Sequence, residues 1–168
     1  MAVILLIVVL TVIPENFVSR KITTSVARIS KGLQEELVLG NLDAKRDWGF
    51  AGDYAKAMWL TLQQSEPDDY VIATGKANSV RAFVELAFNE AGIEIKWEGD
   101  GLAETGRNVS NEKILVRVHP DFYRPVESKL SVGNPAKAYK VMDWKPEIAF
   151  EELVRMMVRN DLNLIETD

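Results

Sequence analysis

Leu39-Gly-Asn-Leu-Asp-Ala-Lys-Arg-Asp-Trp-Gly-Phe-Ala-Gly-Asp-Tyr-Ala-Lys-Ala-Met-Trp-Leu60 passes from an apolar end, through a dense polar loop, into a helix. Leu37-Val38-Leu39 is a short strand candidate that stops at Gly40. Asn41 to Gly52 reads as a loop. Asp53 suits the N-cap of a helix from Tyr54 to about Gln64. Inside the loop, Arg46-Asp47 reads from the residues alone as a local ion pair that braces it.

Working outward, Phe17 to Leu33 is a helix, with Val18, Ile22, Val26, Ile29 and Leu33 spaced by threes and fours. Its Arg20, Lys21, Arg28 and Lys31 form a solvated basic face. Glu66 to Asp69 is a turn and Tyr70 to Ala73 a strand. Ser79 caps a helix carrying Val80, Phe83, Val84, Ala87, Phe88 and Ala91, which Gly92 ends. Ile93, Ile95 and Trp97 alternate with charged residues, as in a half-buried strand. Glu98 to Asn111 is polar and glycine-rich and reads as a loop, followed by a strand from Ile114 to Val118. Pro120 to Pro125 is irregular. Asn134-Pro135 opens a short helix that Asp143 to Pro146 breaks. Phe150, Leu153, Val154, Met157 and Val158 stripe the last helix. Helices alternating with short strands make the chain mixed α/β.

Residues 2–13 carry no charge. Twelve residues fall short of the roughly 20 that a spanning helix needs, and no basic region precedes them as in a signal peptide. Their Val and Ile content, stopped by Pro14, suits a strand buried on both faces. A non-native extension ahead of a truncated reading frame is the alternative. Over the whole chain, 168 residues make about one domain, or two small ones. A net charge of −5 gives no strong pull toward nucleic acid or anionic lipid. The absence of cysteine removes disulfides and thiolate chemistry and, with no targeting signal, fits a cytoplasmic protein. His119 is the single histidine, which excludes a His-rich metal site and reads as a surface or turn residue. The four tryptophans, Trp48, Trp59, Trp97 and Trp144, read as core or loop packing. No P-loop and no G-x-G-x-x-G occur, and no Tyr is followed by Lys four residues on.

The opening stretch closely resembles the GDP-mannose 4,6-dehydratase family of extended short-chain dehydrogenase/reductase proteins. So do Glu15-Asn-Phe-Val-Ser-Arg-Lys-Ile22, Glu66-Pro-Asp-Asp-Tyr-Val-Ile-Ala-Thr-Gly75, Ser79-Val-Arg-Ala-Phe-Val-Glu85, Trp97-Glu-Gly99, Tyr123-Arg-Pro125, Trp144-Lys-Pro146 and Phe150-Glu-Glu-Leu-Val154, in family order. The resemblance implies the C-terminal, substrate-binding part of that fold. Residues 1–14 then form an apolar N-terminal segment, and 15–168 a sugar-nucleotide-binding domain. The family's Rossmann glycine motif, catalytic Tyr-x-x-x-Lys pair, Thr and Glu have no counterpart here, so no catalytic residue is assigned.

The family reaction, as the resemblance implies it, converts GDP-mannose to GDP-4-keto-6-deoxymannose, the entry to GDP-fucose. It uses NADP and a homo-oligomeric enzyme. Carried over residue by residue, Arg46 faces the pyrophosphate and Arg124 and Glu127 meet phosphate and ribose hydroxyls. Lys21 lies near the nucleotide, Arg107 on the loop that closes over substrate, and Arg20 reaches NADP. Planar guanidinium groups suit a diphosphate, and a carboxylate suits two ribose hydroxyls. Each has a plainer reading: loop brace for Arg46, helix surface for Arg20 and Lys21, turn for Arg124, polar loop for Arg107. Phe50 stands where the family has His, Gly52 also departs, and His119 replaces a usual Asp. Three functional readings follow. One is a piece of this dehydratase, inactive without the cofactor half. Another is a GDP-sugar-binding remnant, or a related NAD(P)-dependent epimerase or dehydratase. The third is the product of a decayed gene, with an exposed apolar face.

Overall fold

A computed structural model of the chain describes residues 3–5, 8–9, 17–123 and 132–166. In chain order the elements are β1 (Val3–Leu5), β2 (Val8–Val9), α1 (Val18–Ser30), β3 (Leu37–Leu39), β4 (Lys45–Arg46), β5 (Gly49–Phe50), α2 (Ala51–Leu62), β6 (Tyr70–Ile72), β7 (Asn78–Ser79), α3 (Val80–Glu90), β8 (Ile95–Glu98), β9 (Thr105–Asn108), β10 (Ile114–Val118), α4 (Ala136–Met142) and α5 (Phe150–Glu166). Two short 3-10 turns lie at Gly101–Ala103 and Pro120–Phe122. The chain sorts into two interleaved compact units. The first takes Met1–Leu10, Lys45–Asn78 and Lys129–Leu153; the second takes Thr11–Ala44, Ser79–Ser128 and Val154–Asp168.

In the first unit, β1 runs parallel to β6, with Val3 opposite Tyr70 and Leu5 opposite Ile72. β2 runs parallel to β5, with Val8 opposite Gly49. Helices α2 and α4 pack on β6. They close a core of Tyr54, Ala57, Tyr70, Ile72, Ala138, Met142 and Trp144. Trp144 sets its ring against Tyr54 at 6.1 Å and Tyr139 at 5.9 Å. Its Nε1 donates to the Asp53 carbonyl oxygen at 2.9 Å. Trp48 stacks on Phe150 at 5.6 Å.

Asp53 is not the cap of α2. The helix starts two residues earlier, at Ala51. Asp53 Oδ2 instead accepts from the amides of Glu147 at 2.9 Å and Ile148 at 3.1 Å. A buried carboxylate inside a first turn still gains from the helix dipole, and here it also ties down the segment behind Trp144. Trp59 likewise corrects the expectation of packing: it is 60% exposed, beside exposed Met58 and Leu62.

The second unit carries a four-stranded mixed sheet in the order β3-β10-β9-β8. β3 is parallel to β10, with Leu37 opposite Val116, and β9 is antiparallel to both β10 and β8. Helices α1 and α3 pack together beside it. Ile22, Val26, Leu37, Phe83, Val84, Phe88, Val116, Val154 and Val158 are fully buried. Apart from Leu37 in β3 and Val116 in β10, these are positions that the apolar spacing selects for α1, α3 and α5.

β9 was hidden in the sequence. Thr105-Gly-Arg-Asn108 has no apolar alternation, so Glu98 to Asn111 reads as loop. The strand exists because β8 and β10 both lend it backbone partners. The α3 cap is as expected: Ser79 Oγ accepts from the Ala82 amide at 3.1 Å. Ser79→Ala is expected to cost about 1 kcal/mol, read as a lower urea midpoint with an unchanged slope. An unchanged midpoint would show that the cap does not hold α3.

Candidate anion-binding site

Arg46 closes β4 and is half-buried. Its Nη1 donates to the Lys45 carbonyl oxygen at 2.8 Å, which turns the guanidinium back along its own strand. The next residue, Asp47, is fully buried. Its Oδ1 accepts from the Thr74 amide at 3.0 Å and the Thr74 hydroxyl at 2.5 Å. Its Oδ2 accepts from the amides of Gly75 at 3.0 Å and Gly133 at 3.4 Å. Bracing of the loop, read from sequence as an Arg46–Asp47 pair, runs through these bonds to distant backbone.

Two phenols feel that carboxylate. Tyr139 Oη donates to the Thr74 carbonyl oxygen at 3.3 Å. Burial, then the Asp47 charge, raises its pKa above the ordinary phenol value. Tyr54 is raised further, by burial first and then by Asp47 and Asp53. The Tyr54 hydroxyl is buried and has no hydrogen-bond partner among the described residues.

In the second unit, the first turn of α1 carries Arg20 and Lys21. Arg20 Nη1 bonds to Asp161 Oδ1, and Thr24 Oγ1 donates to Oδ2 of the same carboxylate at 3.4 Å. The Arg20 side chain is 13% exposed and that of Asp161 is 2%. Arg20 is the one residue that the resemblance carries toward NADP, and its guanidinium faces a protein carboxylate. In this structure Asp161 holds that guanidinium.

Lys21 is placed differently. Its Nζ lies 3.8 Å from the centroid of the Phe122 ring, and partial burial lowers its pKa. Phe122 ends the 3-10 turn after β10. That turn presses on Gly40, where a Cβ would stand 2.0 Å from the Phe122 carbonyl oxygen. Only glycine fits there. The His119 amide donates to the Leu39 carbonyl oxygen at 2.9 Å. His119 Nδ1 accepts from the Asp121 amide at 3.3 Å, so the histidine is a turn residue.

Arg107 lies in strand β9 and not in a loop. Its Nε donates to Glu98 Oε2 at 2.7 Å and its Nη1 to the Glu112 carbonyl oxygen at 2.9 Å. Arg124 and Glu127 lie outside the described residues. The candidate residues thus fall in two groups. Arg46 stands in the first unit beside Asp47, and Arg20, Lys21 and Arg107 stand in the second, each with its own partners.

Sequence reading missed Phe122 and Asp161 as partners of these side chains, and it missed the Thr74, Gly75 and Gly133 donors that hold Asp47. Asp161 lies 141 residues from Arg20, and nothing local marks it. Among the described residues, no helix is long and apolar enough to cross a membrane.

Comparison with known proteins gives this geometry its context. A family model described as GDP-mannose 4,6 dehydratase matches residues 11–157. GDP-mannose 4,6 dehydratase 2 of Caenorhabditis elegans is 53% identical over 154 residues, covering 92% of this chain and 40% of that protein. GDP-mannose 4,6 dehydratase of Homo sapiens is 52% identical over 153 residues, covering 91% and 41%. The chain thus spans about 40% of the length of these curated relatives. Among solved structures, RMD from Pseudomonas aeruginosa complexed with NADPH superposes with a TM-score of 0.74 at 20% identity, covering 97% of this chain and 47% of that one. dTDP-glucose 4,6-dehydratase from Bacillus anthracis in complex with NAD gives 0.69 at 15%, covering 94% and 42%. At that identity the structural likeness speaks for the fold, the extended short-chain dehydrogenase/reductase architecture.

Proposed function

Because this chain belongs to the GDP-mannose 4,6-dehydratase family, we propose that it carries the GDP-sugar-binding share of that family's function. The observation that carries the reading is the match itself. It runs from residue 11 to 157 and takes in Lys21, Arg46, Arg107, Arg124 and Glu127. In the family reaction, as the resemblance implies it, GDP-mannose loses water to become GDP-4-keto-6-deoxymannose, and NADP would supply the hydride acceptor and donor. These 168 residues hold no Tyr-x-x-x-Lys pair, and Arg20 is turned to Asp161. The proposal for this chain is therefore binding without turnover.

Arg46 is the proposed diphosphate donor. A guanidinium presents paired N–H groups that match phosphate oxygens and stays charged at any working pH. Lys21 is the proposed point charge near the nucleotide; its partial desolvation strengthens its attraction to an anion. Arg107 is proposed to meet substrate from β9, in exchange for Glu98. Arg124 and Glu127 are proposed for phosphate and ribose hydroxyls on the sequence match. The family suggests a homo-oligomer, and the cysteine-free composition fits the cytoplasm.

Calorimetric titration of the folded chain with GDP-mannose is the test. The expected result is saturable binding that Arg46→Ala weakens about ten-fold or more, the loss of a hydrogen bond to a charged group. No heat from a folded sample at high ligand concentration would overturn the reading.

A further inference from the structure

We propose that Asp47 is a positioning residue for diphosphate binding: its buried carboxylate gathers the Thr74–Gly75 turn and Gly133 around the strand end that presents Arg46. The inference rests on the binding role proposed for Arg46 and adds a residue to which no such role belongs so far.

The geometry is specific to a carboxylate. Asp47 is fully buried and takes four bonds, three from backbone amides and one from a hydroxyl. Two oxygens accept all four, and no donor on the side chain opposes them. An asparagine of the same shape would turn its NH2 group toward two of these donors. The amides come from two places far apart in sequence: residues 74–75 follow β6, and Gly133 precedes α4. Gly75 sits at φ +76, a conformation that glycine adopts freely, and its Cα faces Pro135, where a Cβ would meet the ring at 3.4 Å. The turn is thus shaped to aim its amide at Asp47 and to rest on the segment that brings Gly133.

The consequence falls on Arg46. It is the residue before Asp47, in a strand of two residues that has little rigidity of its own. Fixing the Asp47 side chain fixes the peptide next to it, and with it the origin of the guanidinium. Tyr139, through its bond to the Thr74 carbonyl oxygen, closes the same cluster from α4. A long cationic side chain that starts from a pinned backbone gives up less freedom when it grips an anion.

The test uses the full chain, with GDP as the probe, and pairs calorimetry with amide hydrogen exchange by NMR. For Asp47→Asn the expected result is GDP affinity weakened about ten-fold, and exchange at Gly75 and Gly133 faster by about as much. Val158→Ala, which opens a cavity at a fully buried position of α5 in the other unit, serves as the control: it is destabilised yet keeps GDP affinity within about two-fold. Should Asp47→Asn fail to fold, Thr74→Val removes the hydroxyl, which donates to Asp47 and accepts from the Lys76 amide, and leaves the three backbone amides on Asp47. It is then expected to weaken GDP about three-fold and to speed exchange at Gly75. Unchanged affinity in the folded Asp47 or Thr74 variant, with a wild type that binds GDP, overturns the positioning role alone. A folded wild type that binds no GDP overturns the binding reading beneath it. Fast exchange at Gly75 and Gly133 in the wild type overturns the gathering role itself.

Discussion

Arg20→Ala is expected to lower stability by about 3–5 kcal/mol, because it strands a buried carboxylate. Asp161 is 2% exposed at its side chain and has Arg20 as a cationic partner among the described residues, with a 3.4 Å bond from Thr24 beside it. Removing the guanidinium leaves a charge that water cannot reach. Adding Asp161→Asn to Arg20→Ala is expected to recover much of the loss, since the stranded charge goes. Asp161→Asn alone is expected to cost less, because Arg20 at 13% exposure has a path to solvent. Urea unfolding of the four proteins gives the cycle. If Arg20→Ala unfolds at the wild-type midpoint, the pair does not brace the second unit, and the guanidinium is available for a ligand after all.

Trp144→Ala should be comparably severe in the first unit, at about 3–5 kcal/mol. The ring is 1% exposed at the centre of a small core and touches both Tyr54 and Tyr139. A cavity opens there and the Asp53 carbonyl oxygen loses its donor. Trp144→Phe separates the two effects. It keeps an aromatic ring in the core but loses the N–H and part of the indole volume, so a smaller cost of about 2 kcal/mol is expected. Denaturant unfolding monitored by circular dichroism reads both. A loss below about 1 kcal/mol for the alanine variant would mean that this cluster does not hold the unit together.

What the sequence disclosed, and what it hid, follows the range of the interactions involved. Helix α3 was readable because its signals are local: Ser79 caps it, apolar residues recur at helical spacing, and Gly92 at φ +75 ends it. β8 was readable from the alternation around Trp97. β9 was not, since its pairing comes from two neighbours and its own residues are polar. Asp53 looked like a cap because it precedes an apolar helical pattern. Its actual partners, Glu147 and Ile148, lie more than ninety residues on. The family resemblance named Arg46 and Lys21, and the structure supplies what surrounds them: Asp47 with its amides, and Phe122 under the ammonium. The carried-over role for Arg20 met a partner 141 residues distant, beyond the reach of any spacing argument.

Backbone amide shifts recorded while GDP-mannose is added to the folded chain test the central claim most directly. Saturable shifts are expected at Arg46 and Lys21, with Glu98 moving as Arg107 exchanges its partner, and no product formed. A spectrum unmoved at those residues by GDP-mannose, from a sample that is folded, would contradict it.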